Sequence, residues 1–377
     1  MPLIPIADFE TRTPALINWV RQLAEIESPS TDKAAVDRLG DVLARALRGL
    51  GAAVVEDPQT TAGNNLIGRW GAGAEAGLVI LAHMDTVHEL GSLARMPVRE
   101  AEGRLYGPGV IDMKASLAMT LVALQALRES KAWPDRPVTV LFTSDEEIGS
   151  ERSRPLIERS ARGAALVLCL EPCLPDGSLK TERKGIGGMR IAARGRATHA
   201  GADHENGRNA IEELAHHVLA AQQLTDYSRG TTVSVGVVRG GTRSNVVPEE
   251  AWAEADFRVA HAAEAERLEA WMRSRVPVTR GTTVTVTGGL NRPPMPRDAV
   301  MARTFGRAQQ IAAQLGITLG EGSTGGGSDA NFVAPLGVPV LDGLGALGNG
   351  AHSEREHVVI SSLPERAALL AALLSAW

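Results

Sequence analysis

Cysteine is scarce in this sequence. Cys169 and Cys173 are the two cysteines among 377 residues, too few and too close together for a disulfide framework. Cys169 ends an apolar run and is predicted to lie in a strand, and Cys173 is predicted to be a free thiol. A reducing compartment suits such a chain, so we expect a cytoplasmic protein. The first ten residues carry acids and no basic segment, so a signal peptide is not expected.

An excess of positive charge is also missing. The chain has 39 Lys and Arg against 44 Asp and Glu, a net charge of −5, and no basic patch of the kind that nucleic acid requires. No apolar run approaches the roughly 18 residues of a membrane-spanning helix. We therefore expect neither nucleic acid nor a membrane as a partner. A hydrophobic content of 44% and a length of 377 residues predict two domains with full-size cores.

What the chain does have is a repeated pattern of apolar runs that end in acidic or histidine residues. Each run is short, rich in leucine or β-branched residues and bounded by turn residues, which is typical of a buried strand. Residues 77–82 lead into His83 and Asp85, residues 138–143 into Glu146 and Glu147, and residues 165–170 into Glu171. Open parallel sheets gather their chemistry at the carboxyl ends of the strands. The pattern therefore predicts a metal site at one edge of a sheet.

The predicted set of ligands exceeds what one metal ion needs. Zinc binds imidazole nitrogen and carboxylate oxygen, and a catalytic zinc keeps one position open for water. One histidine with four or five carboxylates favours a second metal and a bridging carboxylate. Asp112 is the best bridge candidate, because it follows a Gly/Pro turn and precedes a predicted helix over residues 115–130. His352, in a glycine-rich loop, is the candidate that completes the second metal's ligands.

Each of these residues has a second interpretation when it is taken alone. His83 is compatible with a core histidine, Glu171 with a strand cap before Pro172, and the acidic run at 145–147 with a solvated turn. His352 alone says little, because the chain has nine histidines. The repetition at three strand ends favours the metal site over these interpretations.

Short motifs that include these residues are spread over nearly the whole chain. They are His-Met-Asp-Thr-Val at 83–87, Gly-Pro-Gly-Val-Ile-Asp-Met-Lys at 107–114, Asp-Glu-Glu at 145–147, Leu-Glu-Pro at 170–172, Ala-Thr-His-Ala-Gly at 197–201, Thr-Gly-Gly-Gly-Ser-Asp at 324–329 and Ala-His-Ser at 351–353. In content and order they resemble the metallopeptidase family of glutamate carboxypeptidases, aminoacylases and acetylornithine deacetylases. Within that family the chain is most similar to bacterial folate-cleaving glutamate carboxypeptidases.

The resemblance implies two zinc ions per chain, with cobalt or manganese as possible substitutes, and a role for each residue. It gives one metal to His83 and Glu171, the other to Glu147 and His352, and the bridge to Asp112. Glu146 would be the general base and later the proton donor, and Asp85 would sit behind His83 and fix its tautomer. A cis peptide bond between Asp112 and Met113 is implied as well.

The pattern along the chain divides it into two parts. Up to about residue 183 strands alternate with helices, predicted near 15–27, 33–50 and 115–130, which indicates an α/β layer fold. Between 185 and 292 the order becomes strand, helix, strand, strand, helix, strand, a ferredoxin-like arrangement. After 292 the first pattern resumes. We expect residues 1–184 and 293–377 to form the catalytic metal-binding domain, a mixed, mainly parallel sheet with helices on both faces. Residues 185–292 would be an inserted α+β lid or dimerisation domain.

The inserted part carries its own candidates. By resemblance, His199 would stabilise the oxyanion that develops from the scissile carbonyl, often from a partner subunit. Asn245 and Arg258 would hold the substrate's free carboxylate, for which the arginine fork is suited. Arg292 is a weaker anchor candidate, and Gly326 would belong to the pocket wall. Without the resemblance, His199 is an exposed loop histidine and the arginines are surface ion pairs.

These expectations lead to a di-zinc hydrolase of the carboxypeptidase type, which cleaves an amide or peptide bond next to a carboxylate-bearing amino acid. The substrate would be a small peptide or an N-acyl-amino acid, and we expect a homodimer formed through the inserted domain. An N-acyl-amino-acid deacylase is the main alternative, and a non-catalytic binding paralogue is the second. Arg183 and Lys184 stand where the folate-cleaving enzymes have small hydroxyl residues, which leaves the specificity for glutamate or folate open.

Overall fold

The computed structural model describes residues 3–71 and 76–377. These residues contain ten α-helices and sixteen β-strands, numbered α1–α10 and β1–β16 in chain order. The chain forms two compact units. Unit 1 comprises Met1–Glu182, Arg297–Ser323 and Ser328–Trp377, and unit 2 comprises Arg183–Pro296 and Thr324–Gly327. The functions expected for the two domains, metal binding and a lid or dimerisation surface, stay predictions.

Unit 1 is built on a six-stranded sheet. Its strands are β1 (Ala53–Asp57), β2 (Asn65–Trp70), β3 (Leu78–His83), β6 (Val138–Thr143), β7 (Leu166–Cys169) and β14 (Val340–Leu341), in the order β1-β2-β6-β3-β7-β14. β3 pairs in parallel with β6 and β7, and β14 in parallel with β7, whereas β1 and β2 pair antiparallel. The predicted mixed, mainly parallel sheet is confirmed.

The apolar runs form strands because both faces of the sheet are covered. All six residues of β3 are buried, so Leu78 and Ile80 on one face and Val79 and Leu81 on the other lie out of water. Continuous apolar strands of this kind are typical of parallel sheets packed on both sides. Helices α2 (Thr13–Ala24) and α10 (Ser362–Ala376) pack against α4 (Ala115–Glu129), which is buried along nearly its whole length.

The remaining elements of unit 1 are short strands and helices around this core. The helices are α1 (Ile6–Thr11), α3 (Lys33–Gly49), α5 (Arg154–Ala161), α8 (Ala299–Ala313) and α9 (Ala330–Val333). A small sheet has the order β15 (Gly348–Asn349), β16 (His357–Val359), β5 (Arg104–Tyr106), β4 (Arg99–Ala101). β8 (Leu179–Arg183) and β13 (Glu321–Thr324) occur where the chain passes from one unit to the other. The helices predicted at 33–50 and 115–130 are confirmed to within one residue at each end.

Among the described residues, one helical segment is long and apolar enough to cross a membrane by length and composition. No such segment was expected from the sequence. The segment is Val110–Glu129, and 89% of its most apolar window is buried inside the structure. Burial of this extent is what a core helix shows, so the segment is weak evidence for a membrane.

Unit 2 is a four-stranded antiparallel sheet with two helices. The chain order is β9 (Gly185–Arg194), α6 (Ala210–Gln222), β10 (Thr232–Gly240), β11 (Glu250–Val259), α7 (Ala262–Arg273) and β12 (Thr283–Arg292), and the strand order is β10-β11-β9-β12. Met189, Ile191 and Ala193 alternate with more exposed residues and pack in a core with α6 and α7. The predicted ferredoxin-like order is confirmed.

A buried carboxylate fastens α6 to the loop that precedes β12. Glu213 accepts hydrogen bonds from the backbone N–H groups of Val278 at 3.0 Å and Thr279 at 2.6 Å, and its oxygen lies 2.7 Å from Nε2 of His217. Burial alone would raise the pKa of Glu213, but these hydrogen bonds outweigh it and lower the pKa to about 2. A lowered pKa in the folded state means that the ionised carboxylate stabilises unit 2.

We predict that Glu213→Gln lowers the free energy of unfolding of unit 2 at neutral pH by roughly 1–3 kcal/mol, because buried N–H groups lose a charged acceptor. The contribution of Glu213 is present above its ordinary pKa of 4.5 and is lost as the pH falls toward 2. The variant should therefore lose less stability over that interval than the wild type. Hydrogen exchange of unit 2 peptides in urea at several pH values measures this. Glu212→Gln, an exposed neighbour, is the control, and equal pH dependence in both variants would contradict the prediction.

Candidate metal centre

Three neighbouring parallel strands deliver the predicted acidic and histidine residues to one edge of the sheet in unit 1. β3 ends at His83, β6 ends just before the acidic run at 145–147, and β7 ends just before Glu171. β3 lies between β6 and β7 and is parallel to both, so their carboxyl ends meet. The sheet itself thus gathers side chains that are almost ninety residues apart in the sequence.

The donor atoms lie within a few ångströms of one another around Asp112. Nε2 of His83 is 3.1 Å from Oδ1 of Asp112, and Nε2 of His352 is 3.3 Å from Oδ2 of the same carboxylate. His83 Nε2 is also 3.8 Å from Glu171, and His352 Nε2 is 3.1 Å from Glu147. Asp112 therefore directs one oxygen to each imidazole, as a carboxylate between two metal ions would.

Two sets of three side chains offer ligand atoms that all lie within 4.8 Å of one another. One set is His83, Asp112 and Glu147, and the other is His83, Glu146 and Glu171. The sequence prediction gave Glu146 the role of general base and not of a metal ligand. In the structure its carboxylate lies beside the candidate ligands His83 and Glu171. Glu146 begins a short turn, Glu146–Ile148, directly after β6.

The electrostatics of this edge fit a bound cation. Oε1 of Glu147 is buried and has no hydrogen-bond partner in the described part of the chain. Burial raises the pKa of Glu147 to about 7, with the hydrogen bond from His352 opposing and the charge of Asp112 adding to the rise. A buried carboxylate oxygen without a partner is costly. Imidazole nitrogen together with carboxylate oxygen is a donor set that zinc accepts.

The charges of the two imidazoles respond to the same carboxylates. The hydrogen bonds that His352 donates to Asp112 and Glu147 raise its pKa to about 10, although partial burial opposes the rise. For His83, burial would lower the pKa, but hydrogen bonds to Asp112 and Asp85 raise it well above its ordinary value. For Asp112, burial raises the pKa, and the two imidazoles outweigh burial and lower it. A proton and a metal ion use the same nitrogen lone pair, so metal binding here releases protons.

Asp85 joins the ends of β3 and β6. Nδ1 of His83 lies 2.9 Å from the backbone oxygen of Asp85 and 3.5 Å from its carboxylate. Since a carbonyl oxygen accepts, Nδ1 carries the proton and Nε2 faces the candidate metal position. The Asp85 carboxylate accepts the hydroxyl of Ser30 at 2.6 Å and the N–H groups of Glu146 and Glu147 at 3.2 and 3.1 Å. Asp85 thus fixes both the imidazole and the acidic turn.

The segment that carries Asp112 is a tight turn between β5 and α4. The peptide bond from Asp112 to Met113 is cis, as the resemblance implied. Gly109 has a φ of 70°, and a Cβ there would lie 2.5 Å from Cγ2 of Thr86, so the turn needs glycine at this position. His352 also adopts a positive φ, 63°, in its loop.

Sequence reasoning missed two residues that hold this site. Ser30 and Glu356 are buried, and each contacts a segment far away in the chain. Ser30 offers no pattern that would single it out. Glu356 follows His352 by four residues, and this proximity to a candidate ligand is the one feature of the sequence that could have indicated it.

The candidates in unit 2 form two groups. His199 is exposed, and its Nδ1 accepts the N–H groups of Gly201 and Ala202 at 3.1 Å each. The carbonyl of Asn245 accepts from Ala200 N at 2.9 Å, which places His199 and Asn245 on adjacent loops. The second group surrounds the glycine loop.

Arg258 and Gly326 lie near each other around the glycine loop of unit 2. Arg258 donates to both carboxylate oxygens of Asp256 at 2.8 and 2.9 Å, and approaches the Gly325 carbonyl at 3.5 Å. Its fork is therefore engaged by an acidic partner, as in the ion-pair interpretation. The carbonyl of Gly326 accepts from Arg183 at 3.1 Å.

Arg292 is almost fully buried, with 3% of its surface exposed. Its Nη1 donates to Oδ1 of Asn291 at 3.0 Å. Arg183, where a departure from the folate-cleaving enzymes was noted, is also buried and donates to the carbonyls of Gly326 and Gly327. Two of the cationic residues of this region, Arg183 and Arg292, are thus buried.

Comparison with known proteins agrees with this geometry. Residues 79–376 match the model of peptidase family M20/M25/M40. Carboxypeptidase G2 of Pseudomonas sp. (strain RS-16) is 33% identical over 370 residues, which cover 96% of this chain and 89% of that protein. A succinyl-diaminopimelate desuccinylase of Methylorubrum extorquens (strain PA1) is 31% identical over 369 residues, which cover 91% of this chain and 93% of that protein.

The fold has counterparts among solved structures as well. The YXEP protein of Bacillus subtilis, a dinuclear metal binding peptidase from the M20 family, aligns with a TM-score of 0.70 at 16% identity and covers 97% of this chain and 98% of that one. At this identity the likeness shows the fold. Together with the family match, it means that the chain belongs to peptidase family M20/M25/M40 and is a carboxypeptidase-like metallopeptidase.

Proposed function

We propose that this metallopeptidase hydrolyses the amide bond that precedes a carboxylate-bearing amino acid, as a glutamate carboxypeptidase does. The observation that carries the proposal is the cluster of imidazoles and carboxylates around Asp112, with the additional carboxylate of Glu146 beside it. The similarity to carboxypeptidase G2 over 96% of the chain supports the substrate class. A free carboxylate on the product amino acid suits the arginines and amide groups of unit 2.

The residues present fit two divalent ions, for which we propose zinc. His83 and Glu171 would hold one ion, Glu147 and His352 the other, and Asp112 would lie between them. When bound, such ions polarise a carbonyl and make water a stronger nucleophile near neutral pH. Glu146, within 4.8 Å of the His83 and Glu171 donors, would take a proton from the attacking water and deliver it to the amide nitrogen that leaves.

The substrate's carboxylate would be held in unit 2. Arg292 and Asn245 are candidates, and Arg258 becomes one if its fork exchanges Asp256 for the substrate. Asp256 and the substrate would then compete for the same two donor positions. We infer that Arg258 contributes less to substrate affinity than an unpaired arginine would, because an existing ion pair has to be broken first.

A deacylase that releases an acyl group from an amino acid is the second candidate function. The similarity to a desuccinylase over 91% of the chain favours it, and the metal edge would serve both reactions equally. A panel of N-acyl-glutamates, dipeptides, N-succinyl and N-acetyl amino acids, assayed with metal-loaded protein, separates the two. Preference for a peptide or aroyl bond before glutamate supports the carboxypeptidase, and preference for succinyl or acetyl substrates supports the deacylase. No hydrolysis of any of them would favour a non-catalytic binding protein.

We predict close to two equivalents of divalent metal per chain in protein purified without chelator, most of it zinc, because the donor atoms exceed the needs of one ion. His352→Ala should lower the content toward one equivalent, since the second ion then keeps Glu147 and the shared Asp112 alone. Elemental analysis measures both values, and His357→Ala, five residues along the chain, is the control. A saturated content of one in the wild type would contradict the two-ion arrangement.

We predict that Glu146→Gln keeps the metal content of the wild type and loses turnover by about 10²–10⁴-fold, the usual contribution of one acid–base group. The glutamine preserves size but cannot accept the proton. The loss should fall on kcat, measured with the best substrate of the panel. Glu151→Gln changes an exposed glutamate nearby and should leave kcat unaltered. If Glu146→Gln instead lost a metal ion, Glu146 would be a ligand and the base would have to be sought elsewhere.

We also propose a homodimer formed mainly through unit 2, in which His199 of one chain serves the catalytic site of the other. β10 is an edge strand of its sheet, and Val238 on it is half exposed. An edge strand offers unpaired backbone groups to a second copy, and two identical edges can pair about a two-fold axis. His199 would donate to the oxyanion that develops from the scissile carbonyl.

Mixing inactive subunits tests this shared site. His199→Ala and Glu146→Gln homodimers should each be nearly inactive, and heterodimers of the two should recover activity, because one of their sites has both groups intact. The measurement is turnover after mixing, with heterodimer formation verified by mass spectrometry. The control mixture combines His199→Ala subunits with Glu151→Gln subunits, in which His199 and Glu146 are intact, and measures how far subunits exchange. Verified heterodimers without recovery would show that each chain uses its own His199.

A further inference from the structure

Glu356 is a buried carboxylate that accepts three backbone N–H groups from the segment that carries Asp112 and a fourth hydrogen bond from His88. Its Oε1 accepts the N–H groups of Ile111 at 2.9 Å and Asp112 at 3.1 Å. Its Oε2 accepts the N–H of Gly109 at 3.0 Å and lies 2.6 Å from Nε2 of His88, which donates to it. The Glu356 side chain is fully buried, and that of His88 is 10% exposed.

The same residue is part of the loop that carries His352. The backbone N–H of Glu356 donates to the carbonyl of Ser353 at 3.1 Å, and its carbonyl accepts from Gly107 at 3.4 Å. Glu356 therefore links two loops that are more than two hundred residues apart in the sequence. One loop supplies Asp112 and the other supplies His352, and their side chains approach to 3.3 Å.

The pattern of bonds separates Glu356 from the metal-ligand candidates. Glu147, which we assign to a metal, has a buried oxygen without a hydrogen-bond partner in the part of the chain that the structure describes, whereas each oxygen of Glu356 accepts from two donors. A ligand keeps a lone pair for the ion, and Glu356 has given its lone pairs to the backbone. Carboxylates that orient ligands through hydrogen bonds are nearly as important to metal affinity as the ligands themselves.

We propose that Glu356, oriented by His88, is a positioning residue that holds Asp112 and His352 at the separation required to bind the second metal ion. This inference rests on the proposed function, because it assumes that Asp112 and His352 are ligands. The segment 109–112 is fixed by three N–H groups that donate to one carboxylate, and the His352 loop is fixed by the backbone of the same residue. The two ligands thus keep their spacing because one side chain spans both loops.

The test compares Glu356→Gln with Glu354→Gln. The first replaces a carboxylate by an amide, which leaves one oxygen for four donors. The second changes a glutamate in the same loop that is 63% exposed and pairs with Arg95 at 2.8 Å. Zinc affinity is measured by competition with a chromophoric chelator, and the thermal midpoint is measured with and without zinc. We expect Glu356→Gln to weaken the second zinc equivalent by about 10–100-fold and to shrink the zinc-dependent rise in the midpoint, with Glu354→Gln like the wild type.

A purely structural role of Glu356 predicts a different result. It lowers the midpoint of the metal-free protein and leaves the zinc affinity unchanged, and that result overturns the proposal. If Glu356→Gln does not fold, two variants of His88 test the same carboxylate. His88→Leu removes the hydrogen bond that His88 donates to Glu356, and His88→Gln restores a donor there. Weaker zinc binding in His88→Leu with recovery in His88→Gln supports the proposal. A His88→Leu variant that binds zinc no more weakly than His88→Gln overturns it. Absence of zinc binding in the wild type and in Glu354→Gln would reject the proposed metal site itself. That result differs from the one that rejects the positioning role of Glu356.

Discussion

Negative charge crowded into a buried sheet edge is the constraint on which unit 1 depends. Asp85 is fully buried, Glu171 is 8% exposed, and Asp112, Glu146 and Glu147 lie beside them. Ionised carboxylates at this density repel one another and lose hydration, and each effect raises the pKa of a carboxyl group. At Glu147, burial first and the charges of Asp112 and Glu146 second raise the pKa to about 7. The two imidazoles offset part of this repulsion, since they lower the pKa of Asp112, and a divalent cation at the same donor atoms would offset more of it.

The chain divides its buried acids by how their oxygens are satisfied. Asp85 and Glu356 accept backbone N–H groups and hydroxyl or imidazole donors until their oxygens are filled. Asp145 behaves similarly, with bonds from the Ser153 hydroxyl and the Arg152 N–H. Glu147 keeps a buried oxygen without a hydrogen-bond partner among the described residues, and the Asp112 carboxylate lies within 3.1 and 3.3 Å of the two imidazoles. A filled carboxylate shapes the scaffold, and an open one is available for an ion.

Much of this could be read from the sequence, for a physical reason. Parallel strands that end in acids must bring those acids together, so His83, Glu147 and Glu171 were predictable from apolar runs alone. Asp112 and His352 do not directly follow a strand of that sheet. A Gly/Pro turn and a glycine-rich loop indicated them as candidates, and the resemblance added their roles. Glu356 and Ser30 escaped prediction because hydrogen bonds from a side chain to a distant segment leave little pattern in residue types. Glu356 accepts backbone N–H groups, and the Ser30 hydroxyl donates to Asp85. β12 runs to Arg292 through Gly288 and Gly289, glycines that are typical of a turn yet lie here in a strand with φ values of 123° and 154°.

The ion pair of Arg258 shows how local geometry decides what a cationic residue can do. Asp256 and Arg258 are two positions apart on β11, so their side chains point to the same face and pair. Arg183 is buried and donates to the carbonyls of Gly326 and Gly327, which fixes the glycine loop from within unit 2. Small hydroxyl residues could not span that distance or supply that charge. The metal edge of unit 1 is compatible with either a carboxypeptidase or a deacylase, because both reactions need the same ions and base. The metal ligands therefore do not distinguish the two reactions, and what Arg183 decides is the conformation of the glycine loop, through its bonds to the Gly326 and Gly327 carbonyls.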